Sequence, residues 1–211
     1  MGMKTKQMEI EWKLQVTDPA CWEVLQKYIF SLPGIVDRKE YKMTAHYFDT
    51  QDLTLNQARA AYRVRLENDR YVATVKAGGQ SVGGVHRRLE FNRESLHAEP
   101  DLTLFAGEEE LKPLWEKVAG KPLLQIVSTA FVRQRVQIRR QSSLVEIALD
   151  RGEISSAGQT EPILEVELEL LEGDEDSLAI IGEMLCAKFP LKMEEKSKFF
   201  RGLLLYKNHR C

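Results

Sequence analysis

The chain has 211 residues, 43% of them hydrophobic and 29% charged, the balance of a soluble globular protein long enough to bury a core. A formal net charge of −2 supplies no overall field toward nucleic acid or membrane, and no apolar run approaches the roughly 20 residues of a membrane helix. Three widely spaced cysteines, Cys21, Cys186 and Cys211, lack metal or redox spacing; with no secretory signal ahead of them they are expected as free thiols in the cytoplasm.

Met1 to Gln7 read as a short lead-in. "MEIEWKL" (8–14) then alternates Met8, Ile10, Trp12 and Leu14 with Glu9, Glu11 and Lys13, the period of a strand. "DPACWEVLQKYIFSL" (18–32) predicts a helix, with Asp18 as N-cap, Pro19 at the first helical position and Pro33-Gly34 as its stop. A long strand ends in "HYFDT" (46–50). Residues 60–79 predict two strands turning at Asn68-Asp69. "GGQSVGG" (78–84) reads as a flexible loop and "VHRRLEFNRE" (85–94) as a strand. Residues 95–122 change character and predict two short helices joining two strand-rich halves. Strands resume at 124–140, 143–154 and 162–173. Helices are expected over 174–189 and 196–207.

The charged faces share a pattern. Arg63, Arg65 and Glu67 alternate with Tyr62, Val64 and Leu66; Arg133, Arg135, Gln137 and Arg139 alternate with Val132, Val136 and Ile138; Glu165, Glu167 and Glu169 alternate with Leu164, Val166, Leu168 and Leu170. Thr74 with Lys76, Arg88 with Glu90 and Asn92, and Glu146 with Asp150 form shorter rows. A single strand of this kind is ordinary in a sheet with one solvated face. Rows of one sign are different, because like charges along a face repel. Closing such a sheet with the charged faces inward and the apolar faces under helices gives a polar barrel; about eight strands leave room for one small ligand. Clustered carboxylates raise one another's pKa until a hard divalent cation relieves them. Clustered arginines repel until a polyphosphate does the same. Both clusters in one cavity imply a metal–polyphosphate complex.

Glu9-x-Glu11-x-Lys13 resembles the ExExK signature of CYTH domains, the triphosphate tunnel metalloenzymes. "YFDTQDLTL", "AYRVRLEN", "TVKAGG", "GGVHRRLEFN", "EIALDRGEI", "EPILEVELELLEGD" and "SKFFRG" are similar, in order and over nearly the whole chain, to the bacterial inorganic triphosphatase branch. The resemblance implies an α+β fold, an eight-stranded antiparallel β tunnel with a polar interior flanked by helices, as a single domain over 1–211. It implies Mg²⁺- or Mn²⁺-dependent hydrolysis of a triphosphate, foremost inorganic tripolyphosphate. Glu9, Glu11, Lys13 and Asp150 would be catalytic. Lys13, Arg63, Arg65, Lys76, Arg133, Arg135 and Lys198 would bind phosphate. Glu9, Glu11, Glu90, Asp150, Glu165 and Glu167 would hold metal. Glu169 ends its row and fits a position beyond the tunnel mouth equally well; Arg139 and Arg140 read as solvated strand ends.

The rival readings are a class IV-type adenylate cyclase, a thiamine triphosphatase or ATPase, and a non-catalytic polyphosphate-binding module. The expected partner is a small-molecule triphosphate, with no nucleic acid and no membrane. Many longer relatives carry a second, helical CHAD domain; this chain is expected to be a catalytic module without one. Gly79-Gln80-Ser81-Val82-Gly83 fits the nucleophile elbow G-x-S-x-G, but a strand follows it where a helix is needed. His46, His86, His97 and His209 lack zinc spacing, and His86 is expected at the surface, with the tunnel rim as the alternative. No Walker A or dinucleotide fingerprint occurs.

Overall fold

A computed structural model describes residues 4–82 and 85–208. Eight antiparallel strands close into a barrel: β1 (Lys4–Val16), β2 (Ile35–Asp49), β3 (Ala60–Glu67), β4 (Arg70–Val82), β5 (Val85–Ser95), β6 (Leu124–Arg140), β7 (Ser143–Ser156) and β8 (Gln159–Glu172). The hydrogen-bonded order is β5-β4-β3-β2-β6-β7-β8-β1, and pairing of β1 with β5 completes the ring. A three-residue strand, β9 (Leu191–Met193), adds to the end of β1 that β5 does not reach.

The barrel is inverted relative to a small solvent-exposed sheet. Its outer faces are apolar and covered on two sides. Helix α1 (Trp22–Phe30) and helix α4 (Asp176–Lys188) lay Trp22, Leu25, Ile29, Leu178, Ile181 and Leu185 over Leu14, Val136, Val145, Ile147, Val166 and Leu168. A second cluster covers β3, β4 and β5. There the 95–122 segment supplies Phe105, Leu111, Leu114 and Val118 against Tyr62, Val64, Ala73, Val75 and Phe91. Each such side chain contributes about 1.5–3 kcal/mol on burial, so helix docking outside is what allows the charged faces to turn inward.

Helix α5 (Lys198–Asn208) plugs one end of the barrel. Phe199 and Leu203 pack on the inward-facing Met43, Ala45, Tyr47, Val127, Phe131, Ile154 and Ile163, and Phe199 stacks on Tyr47 at 5.3 Å between ring centres. Gly202 makes this seat possible: a Cβ there would lie 2.3 Å from Val127 Cγ1. Gly202→Ala is therefore expected to cost about 1–3 kcal/mol through overpacking, read as a lower denaturant midpoint at unchanged m-value.

Helix α2 (Thr54–Gln57), unforeseen in the sequence, follows "YFDT". The buried Asp49 carboxylate accepts from the backbone N–H groups of Thr50, Leu55 and Asn56 at 2.7–2.9 Å, so this motif residue holds a turn rather than a ligand. The 95–122 connection holds one α-helix, α3 (Lys112–Val118), and two short 3₁₀ turns where two helices were expected. Lys4 to Gln7 already belong to β1, not to a lead-in. The expected flexible loop is largely strand: β4 continues to Val82 through a register shift between Ala77 and Gln80, where Gly78 and Gly79 both have positive φ. Gly83 and Gly84 lie outside the described residues. Gly79 to Val82 of the G-x-S-x-G stretch lie in β4, and the next described element is strand β5 rather than a helix. No helix among the described residues is long and apolar enough to cross a membrane.

Candidate active site

Strand register brings the charged rows together. Across β1 and β8, Glu11 faces Glu169, Lys13 faces Glu167 and Gln15 faces Glu165. Across β8 and β7, Glu169 faces Glu146 and Glu165 faces Asp150. Across β7 and β6, Asp150 faces Arg133. Directly opposed side chains on one face of an antiparallel pair sit about 4.5–5.5 Å apart at Cβ, so these rows form one continuous charged wall.

The cleft inside the barrel has a void of about 660 Å³, its open mouth included. Seven basic residues line it (Lys13, Arg63, Arg65, Lys76, Arg88, Arg133 and Lys198) against four acidic ones (Glu9, Glu11, Glu167 and Glu169). The lining is therefore anion-seeking although the whole chain is not. Several cations are tied to carboxylates. Lys76 Nζ lies 2.6 Å from Glu9 and 2.8 Å from Glu90. Lys13 Nζ lies 2.6 Å from Glu167 and 3.4 Å from Glu11. Arg133 forks onto Asp150 at 2.6–2.7 Å and also meets Glu167. Arg63 differs: its buried Nε has no hydrogen-bond partner. Buried guanidinium N–H groups are costly unless satisfied, so Arg63 carries an unmet donor in the cleft lining.

Two carboxylate groups stand out, with opposite electrostatics. Asp150, Glu165 and Glu167 offer oxygens within 4.8 Å of one another, close enough to hold a metal ion. Here, however, Lys198 Nζ sits among them, 2.7 Å from Asp150, 3.0 Å from Glu167 and in contact with Glu165. Despite its burial, Glu167 is held well below the usual carboxylate range by Lys13, Lys198 and Arg133. The second group is Glu169 with its neighbours Glu9, Glu11 and Glu146. Burial, then the nearby charges of Glu9 and Glu11, push the Glu169 carboxyl up to about 8. Burial pushes Glu9 up to about 7; Lys76 opposes this, while Glu11 and Glu90 add to it. Like charges opposed across a ladder are destabilising; Lys76 pairs with Glu9, and Lys13 and Arg88 approach Glu11, whereas Glu169 accepts from the Gln7 amide at 3.5 Å.

Of the residues expected from sequence to bind phosphate, Lys13, Arg63, Arg65, Lys76, Arg133 and Lys198 all line the cleft. Arg135 does not. It pairs with Asp37 at 2.9 Å and Glu146 at 3.3 Å and lies over the Tyr41 ring. Of the expected metal and catalytic carboxylates, Glu9, Glu11 and Glu167 line the cleft, Glu90 sits behind Lys76, and Asp150 and Glu165 are fully buried beneath Lys198. Glu169, left open in the sequence, lines the cleft; period-two parity with Glu165 and Glu167 carried that information. Arg88 lines it too, 3.6 Å from Glu11. His86, expected at the surface, is 2% exposed. Its Nδ1 accepts from Arg88 at 3.0 Å and its Nε2 faces Glu194 O at 3.3 Å, which aims Arg88 at the cleft. Tyr47 also lines the cleft; burial would raise its hydroxyl, but Arg63 beside it holds the group below its ordinary value.

The chain is 30% identical over 198 residues to an inorganic triphosphatase of Haemophilus influenzae, covering 93% of this chain and 54% of that protein; the chain thus spans about half the length of that relative. Its fold is similar to a provisionally named adenylyl cyclase of Hippeastrum described as having a dominant triphosphatase activity (TM-score 0.63, 20% identity, 95% of this chain and 96% of that one). It is also similar to a protein of Pyrococcus horikoshii (TM-score 0.57, 17% identity, 94% and 99%) and to a provisionally named adenylate cyclase of Bacillus halodurans (TM-score 0.56, 22% identity, 93% and 97%). At those identities the structures bear on fold alone. The sequence model of the CYTH domain matches residues 7–203, and with the closed charged barrel in place the chain belongs to the CYTH domain family.

Proposed function

We propose that this protein is a divalent-metal-dependent triphosphatase that cleaves inorganic tripolyphosphate to pyrophosphate and phosphate inside the barrel. The observation that carries this reading is a buried cationic wall, with Arg63 Nε unpartnered, facing a row of crowded carboxylates across one cleft. The likeness to an inorganic triphosphatase supports the choice of substrate.

The donor set fits Mg²⁺ or Mn²⁺. Glu9, Glu11 and Glu169 would hold the ion, because their mutual repulsion is what a hard cation removes. Such an ion supplies charge neutralisation at the phosphate oxygens. Arg63, Arg65 and Arg88 would fork onto non-bridging oxygens, while Lys13, Lys76 and Arg133 would trade part of their carboxylate pairing for phosphate. Lys198, at the plugged end, stays protonated because Asp150 and Glu165 beside it outweigh the cost of burial. Water attacks the terminal phosphorus, the bond to the bridging oxygen breaks, and pyrophosphate leaves. Such a reaction needs positioning and charge stabilisation rather than a covalent intermediate.

Incubation with tripolyphosphate, ATP and thiamine triphosphate, each with Mg²⁺ or Mn²⁺, tests the reading. Orthophosphate released mainly from tripolyphosphate is the expected result. Cyclic AMP from ATP would make the protein a cyclase, and silence on all three would leave a binding module.

A further inference from the structure

We propose that Arg201 is a positioning residue that sets the place of Lys198 through Glu165, so that Glu165 serves as the docking carboxylate of helix α5 rather than as a free metal ligand. The kinetic consequence rests on the triphosphatase reading; the structural claim does not.

Glu165 is fully buried, and α5 claims both of its oxygens. Lys198 Nζ takes Oε1, and Arg201 Nη1 takes Oε2 at 2.9 Å. Lys198 and Arg201 are three residues apart and so share one face of the helix. Arg201 is itself 4% exposed and fully committed to β8: Nε donates to Glu161 at 2.6 Å and Nη2 to the Pro162 carbonyl at 2.5 Å. A planar guanidinium binds three acceptors in one fixed geometry, which an ammonium on a flexible stem does not. Asp150 and Glu165 are direct cross-strand neighbours; Arg133 already forks onto Asp150, whereas Lys198 and Arg201 are the cations that hold Glu165. With Arg201 satisfying half of Glu165, Lys198 is shared with Asp150 and Glu167. Without it, one oxygen of buried Glu165 is left unpaired, α5 loses its fork onto β8, and Lys198 opens to solvent more often. Gly202 and Phe199 seat the helix, but neither fixes where the ammonium ends.

Amine-selective acylation of the whole protein, followed by peptide mass spectrometry, reads the position of Lys198 without any turnover. Lys198 should be protected in the wild type and label at least about tenfold faster in Arg201→Met, since side-chain protection follows local opening; exposed Lys207 should be unchanged. Circular dichroism at the same temperature establishes that the variant is folded. Should Arg201→Met fail to fold, Arg201→Lys carries the test, because it keeps the charge and loses the fork, and Lys198 labelling must still rise. Unchanged protection in a folded variant overturns the proposal. In kinetics on tripolyphosphate, Arg201→Met placed on Lys198→Met should lower kcat by less than about threefold further, the mark of two residues acting as a unit. Fully additive losses would overturn it as well. A wild type without turnover would count against the triphosphatase reading, and the labelling would then decide the role of Arg201 alone.

Discussion

Glu11→Gln lowers kcat on tripolyphosphate by about a thousandfold or more while the fold is kept, as expected where a carboxylate holds the metal that stabilises the reacting phosphate. The carboxylate is 4% exposed and faces Glu169 directly across β1 and β8. Burial opposes its charge, yet Lys13, with Lys76 and Arg88, holds it below the usual carboxylate range, so it is ionised at any working pH. Glutamine preserves the volume and one acceptor oxygen, and it removes one charge from a row of like charges. The lost charge is one that Lys13, Lys76 and Arg88 favour, so the metal-free variant should stay folded but melt somewhat below the wild type at neutral pH. Parallel measurement of turnover and thermal unfolding separates the two effects. An unchanged rate would remove Glu11 from the reaction, and a collapsed fold would assign it to structure.

Stabilisation by added Mg²⁺ or Mn²⁺ grows between pH 5 and pH 8, by about a few degrees in Tm for each kcal/mol of linked binding. Glu9 and Glu169 are the cause. Their carboxyls rise from an ordinary 4.5 to about 7 and about 8 in the folded protein. Between 4.5 and those values the native state binds more protons than the unfolded chain, so stability falls as pH rises through that window. The contribution is fully present below about pH 4.5 and gone above about pH 8. A divalent ion competes with those same protons, so it has little to displace at high pH and restores most there. Thermal scans with and without metal at the two ends of the window check this. A metal-induced shift independent of pH would move the ion away from Glu9 and Glu169.

Much of this was legible in the residues because the barrel obeys a short-range rule. Alternation at period two, with charges gathered on one face, predicted β3 and β6 nearly to the residue, β8 to within three residues, and the inward turn of their charged faces. The features that were missed depend on contacts distant in sequence. Helix α2 forms because buried Asp49 caps it, which no periodicity shows. Residues 78–82 read as loop from their glycines, but pairing with β5 makes them strand. His86 is buried because Arg88 and the Glu194 carbonyl close around it.

The division of the carboxylates shows where local reasoning stops. Parity alone puts Glu165, Glu167 and Glu169 on one face and Glu9 and Glu11 on another strand's charged face. It cannot tell which of them meets a lysine. Strand register pairs Glu169 with Glu11 and Glu146, and the plugging helix delivers Lys198 and Arg201 to Glu165. One acidic triplet thereby becomes a neutralised socket, and Glu169 is left opposed to Glu11 and Glu146. The residue types and their faces follow from the order of the chain, since side-chain direction in a strand is a local property. Which charges neutralise one another, and so which remain for a ligand, follows only from closure of the barrel and docking of α5, since electrostatic pairing is set by distances that the closed fold alone creates.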